Sequence, residues 1–138
     1  MSPFSVPLLG SLWFLFQDDR FWFSSAQSSP LAQAAARGCQ VAVIVDDFSP
    51  PGSIRQVRVR GQGRVDEHDP ERVHQIYERY LGEELDSWPS FFRDRFSLTN
   101  GWTLWSVAAE TGMAVTSPDF FETVYRWSVP DQAPFGRR

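Results

Sequence analysis

The chain has 138 residues, a net charge of −4, 42% hydrophobic residues and one cysteine. That length suits one domain with one core, and Cys39 alone permits neither an intramolecular disulfide nor a cysteine-built zinc site. All thirteen basic residues are arginine, which removes Schiff-base and P-loop lysine chemistry, and the negative balance argues against a general nucleic-acid binder.

"PLLGSLWFLFQDDRFWFSS" opens the pattern. Its apolar runs predict strands over Leu8 to Phe16 and Arg20 to Ser24, joined by a polar turn at Gln17, Asp18 and Asp19. In "SSPLAQAAARG", Ser29 suits a helix N-cap, Pro30 the first helical position and Gly38 the C-terminal stop. "QVAVIVDD" (Gln40 to Asp47) is a β-branched apolar run of the kind that fills a strand covered on both faces. Phe48 to Ser53 then reads as a loop from its prolines and glycine.

The next strand is expected from about Arg55 to Glu67. Alternation puts Val57, Val59, Gly61, Gly63 and Val65 on one face and Gln56, Arg58, Arg60, Gln62 and Arg64 on the other. Two inward glycines imply a bend or a close backbone approach. "DPERVHQIYERYLG" is a capped helix, with Asp69 as cap, Pro70 at its start and Gly82 at its end. Val73, Ile76, Tyr77, Tyr80 and Leu81 form its apolar stripe. "WPSFFRDRF" predicts a short helix using Trp88, Phe91, Phe92 and Phe96. Strands are expected over Trp102 to Ala109, Met113 to Thr116 and Phe121 to Trp127, followed by a flexible tail over 128–138.

About six strands and two or three short helices, several strands apolar on both faces, predict a mainly β, α+β fold: a small barrel with helices packed outside it. Residues 1–127 are expected to form that single domain. There is no signal-peptide pattern and no apolar run near 18 residues, so the expectation is a cytoplasmic protein without a membrane span.

"RFWFSSA", a helix, "VAVIVDD", "IRQVRVRGQGRV" and "DPERV", in that order, resemble the pyridoxamine 5′-phosphate oxidase-like family of FMN-binding split barrels, which includes deazaflavin (F420) reductases. The resemblance runs from Val6 to Trp127, and "RQVRV" is its sharpest part. It implies a six-stranded split barrel that forms a homodimer, with FMN or F420 at the subunit interface and a small organic substrate. Gln56 would then bond the flavin ring. Ser24 and Ser25 would lie beside the ring or phosphate, and Ser28 and Ser29 would face the phosphate from the helix start. Arg55 and Arg58, beside Gln56, are the arginines expected to touch the cofactor. The family's basic phosphate clamp is replaced here by Pro30 and Leu31, and the strand and "DG" turn that precede its "SVP" segment have no counterpart before Ser5. The expected barrel therefore lacks its first strand, or the coding sequence starts upstream.

Each candidate has a plainer alternative. The serines also suit an ordinary loop and an N-cap. Arg60 and Arg64 suit cross-strand pairing with Asp46, Asp47, Asp66 or Glu67. His68 and His74 are the two histidines, weak evidence for a metal or for haem, and His74 falls at the edge of a helix stripe. Trp13, Trp22, Trp102 and Trp105 suit core or interface, and one of them could stack on a flat ring. The leading expectation is an FMN- or F420-dependent oxidoreductase. The alternative is a split barrel without redox chemistry that binds another ligand, haem among them, or acts without a cofactor.

Overall fold

The computed structural model describes residues 8–49, 53–94, 101–116 and 123–128. Among them lie seven strands and three short α-helices, the mainly antiparallel α+β architecture expected of a split barrel. Two compact units divide the chain, Met1–Cys39 with Gly63–Ser106, and Gln40–Gln62 with Val107–Arg138.

The first unit starts with a hairpin, β1 (Leu15–Gln17) and β2 (Arg20–Ala26), in which Gln17 pairs with Arg20. Its turn residues Asp18 and Asp19 have φ of 57° and 58°. Two successive left-handed residues are the turn that matches strand twist, and a short carboxylate side chain tolerates that conformation. The strand expected from Leu8 begins only at Leu15. Trp13 explains the difference, because its ring stacks on Tyr80 at 4.9 Å and on Phe92 at 5.2 Å. The Phe14 N–H donates to the Tyr80 hydroxyl at 3.2 Å. This apolar run covers a helix and does not extend the ladder.

Helix α1 (Pro30–Ala36) follows as its end signals require. Ser29 caps it, accepting a bond from the Ala32 N–H, and Gly38 leaves it with φ of 74°. Helix α2 (Pro70–Leu81) has the Asp69 cap and the Gly82 exit that the sequence predicts. Its residues Val73, Ile76 and Tyr77 are buried with Trp22, Trp88 and Leu104. Trp88 is 1% exposed and donates its indole N–H to the Gly82 carbonyl at 2.8 Å. The helix read from "WPSFFRDRF" is a single turn, α3 (Ser90–Arg93), and Phe96 lies outside the described residues. Strand β5 (Trp102–Ala108) neighbours β2 and runs beside the end of β4.

The second unit is an antiparallel sheet. Strand β3 (Gln40–Ser49) pairs with β4 (Ser53–Asp66) from Gln40↔Gln62 to Ser49↔Ser53. Strand β4 also pairs with β6 (Thr111–Thr116), which pairs with β7 (Thr123–Ser128); Phe121 and Glu122, where the last strand is expected to start, lie outside the described residues. Phe48, Ser49 and Ser53, expected in a loop, belong to β3 and β4, and Ser128, expected in the tail, belongs to β7, because the strand ladders extend through them; residues 50–52 and 129–138 lie outside the described residues. Gly61 fulfils the expected close approach: a Cβ there would sit 1.8 Å from the Ala108 carbonyl oxygen.

One expectation for β3 is overturned. The strand alternates between half-buried and exposed residues, and Ile44 is 61% exposed. A continuous apolar run reports hydrophobicity on both faces without saying that both faces are covered.

Candidate functional site

Opposed residues of an antiparallel ladder project from the same face. The registers therefore build one row from Ile44, Arg58, Met113 and Arg126, and the next from Ala42, Arg60, Thr111 and Ser128. These two rows, with the row Val43, Val59, Gly112 and Trp127 between them, line an open groove of about 720 Å³ in the second unit. Within the first row Arg58 stands between two apolar side chains, Ile44 and Met113. Arg58, Arg60 and Arg126 are all exposed. Among the described residues none of the three has a carboxylate partner. Arg58 instead donates to the Gln56 side-chain oxygen and approaches the Met113 sulfur at 3.9 Å.

Gln56 stands one row beyond Arg58 on the same face. Its amide donates to Asp46 at 2.6 Å, so Asp46, Gln56 and Arg58 form a chain of side-chain bonds. That chain fixes which end of the carboxamide points where. Arg55 belongs to the opposite face by alternation and is tied to Asp47. Gln56 and Arg58 thus share one face, as the alternation predicts, whereas Arg55, also expected beside the cofactor, lies on the other.

The serine junction lies in the first unit. Ser25 is 8% exposed; its hydroxyl accepts from the Trp105 indole at 3.0 Å and shares a 3.0 Å hydrogen bond with the Ser29 hydroxyl. Ser29 also caps α1. Ser24 is half-buried and Ser28 is exposed. Pro30 is exposed, and Leu31 turns toward Gly10, where a Cβ would lie 2.9 Å from the leucine Cδ1. The first turn of α1 carries no charged side chain.

Arg64 pairs with Asp66 at 2.6 Å, and Asp66 also accepts from the Ser106 hydroxyl at 2.8 Å. Ser106 in turn accepts from Arg20 at 2.8 Å. Arg72 lies over the Trp22 ring at 3.8 Å and reaches Asp18 at 3.2 Å. His68 is exposed, and His74 rests 5.0 Å from the Trp88 ring centroid and 4.0 Å from Glu78. No cluster of three metal-ligating side chains occurs among the described residues. Trp22 and Trp105 are core residues.

Arg126 and Met113 escape sequence reasoning. "TVYRWS" shows only alternation, and nothing local says that β7 lies next to β6 and so brings Arg126 opposite Met113.

No protein-family model matches the sequence, and no curated protein matches it. Solved structures do. The conserved hypothetical protein Rv2991 from Mycobacterium tuberculosis superposes with a TM-score of 0.62 at 22% identity, over 83% of this chain and 71% of that one. HutZ, the haem storage protein from Vibrio cholerae, gives 0.51 at 14% identity, over 70% of this chain and 68% of that one. The flavocytochrome Anf3 from Azotobacter vinelandii gives 0.52 at 14% identity, over 75% of this chain and 53% of that one. No helix among the described residues is long and apolar enough to cross a membrane. At these identities the likeness speaks for the fold alone, and the fold it supports is the mainly antiparallel α+β arrangement that the strand order of this sequence predicts.

Proposed function

We propose that this chain binds a flat anionic cofactor, FMN or the deazaflavin F420, on the β4 face, and works as an oxidoreductase on a small organic substrate. One observation carries the reading: Gln56, Arg58 and Arg60 stand on one face of β4 beside exposed Ile44 and half-buried Met113, and among the described residues neither arginine has a carboxylate partner. The residues fit such a group. A conjugated ring lies well on Ile44 and Met113, the Gln56 carboxamide and Arg58 offer directed hydrogen bonds, and arginine holds phosphate or carboxylate. When bound, the ring supplies hydride transfer, while the chain binds and orients it and keeps its anionic end in place.

Two structures that share the fold are a haem storage protein and a flavocytochrome, so the fold accommodates planar conjugated groups. The expected homodimer is part of this reading. Ser28 is a second candidate phosphate contact because its hydroxyl is exposed, and Ser28→Ala tests it separately.

A second reading has its own support. Ser25 and Ser29 direct their hydroxyls to Trp105, to each other and to the α1 backbone, and Pro30 and Leu31 supply no charge. A split barrel that binds an anionic ligand without redox chemistry would look the same. Fluorescence titration with FMN and with F420 separates the two: saturable quenching supports the redox reading, while a flat response to both, with a Soret shift on adding haem, moves the assignment to the second.

A further inference from the structure

The groove places its positive charges in two separate stations. Arg58 and Arg60 are two residues apart on one strand, about 7 Å along it. Arg126 stands across β6 from Arg58, in the row that runs Arg58, Met113, Arg126. Two inter-strand spacings set the backbones of Arg58 and Arg126 about 10 Å apart. Met113 lies between them and offers a thioether surface without hydrogen-bonding demand.

Among the described residues, two acids close to these rows make hydrogen bonds of their own. Asp46, one row beyond Ile44, accepts from Gln56 at 2.6 Å. Glu110, next to Thr111, accepts from the Gln62 backbone N–H at 3.3 Å. Three guanidinium groups stand on one face of a chain with net charge −4, and among the described residues none of them has a carboxylate partner. They repel one another unless an anion sits among them.

We infer that the groove binds a small ligand with two anionic groups joined by an apolar span, one group on the Arg58–Arg60 pair and the other on Arg126, with Met113 under the span. The inference rests on the reading above for the location of the ligand, but it requires no flavin and no redox chemistry. It names the ligand class: a two-headed anion in preference to one bearing a single phosphate or carboxylate.

The experiment is calorimetric titration of the purified full-length chain with octane-1,8-dioate and with octanoate, which share a chain length and differ by one carboxylate. The dioate is expected to bind at least roughly tenfold more tightly, with a steeper loss of affinity as salt is raised. Arg126→Ala should bring the dioate down to the level of octanoate. Arg37→Ala, an exposed arginine outside the groove, should leave the ratio intact and controls for net charge. Equal affinities for the two probes, no binding of either, or a ratio that survives Arg126→Ala would each overturn the inference. So would a ligand-free dimer that Arg126→Ala dissociates, since the arginine would then pair with a second copy. Failure to bind FMN or F420 while the dioate preference holds would remove the redox reading alone.

Discussion

Ser106 separates two opposite charges inside the first unit. Its hydroxyl, 0% exposed, accepts from Arg20 and donates to Asp66. Removing it takes one hydrogen bond from the half-buried Arg20 and one from Asp66. Ser106→Ala should cost about 1–3 kcal/mol in urea unfolding, and a loss below a few tenths would show that water takes over both bonds. Gly61 is constrained differently: no side-chain carbon fits beside the Ala108 carbonyl. Gly61→Ala should destabilise by more than about 2 kcal/mol or force β4 to shift, and a variant that melts with the wild type would refute the close approach. In the β1–β2 turn, Asp19→Gly should be neutral or stabilising because φ is 58° there, whereas Asp19→Val should cost about 1–2 kcal/mol. Thermal melts of the pair read the difference directly.

At the level of elements, stability concentrates where α2 meets β2. The Asp69 carboxylate accepts from the Arg72 N–H at 3.2 Å, and Arg72 closes over Trp22. Asp69→Ala should therefore lose about 1–2 kcal/mol, at the upper end for an N-cap because the arginine loses a partner too. A melting point unchanged from wild type would place the α2 start under tertiary control alone.

The helices were the legible elements. Ser29, Pro30 and Gly38, and Asp69, Pro70 and Gly82, are local signals for local geometry, and the described ends fall on them. The strands were legible as runs, less so at their ends. Leu8 to Phe14 has strand composition, yet Trp13 is drawn to Tyr80, a partner 67 positions along the chain, which no window of sequence contains. "VAVIVDD" gave a strand but not the open face carrying Ile44. The site divides in the same way. "RQVRV" already places Gln56 and Arg58 on one face and Arg55 on the other by period two. Strand order brings Met113 and Arg126 beside them, and strand order is a property of the folded chain.

For the molecule as a whole, the fold is shared with proteins too distant in sequence to lend their chemistry. Function therefore has to be argued from the β4 face. The proposed homodimer predicts a dimeric sedimentation coefficient at micromolar concentration, and a monomer there would detach the ligand reading from the interface. The most direct measurement is fluorescence titration of wild-type protein and Arg58→Ala with FMN and with F420. The account predicts saturable quenching by at least one of them in the wild type, weakened by about tenfold or more in the variant. No saturable change with either cofactor, or equal affinity in the two proteins, would contradict it.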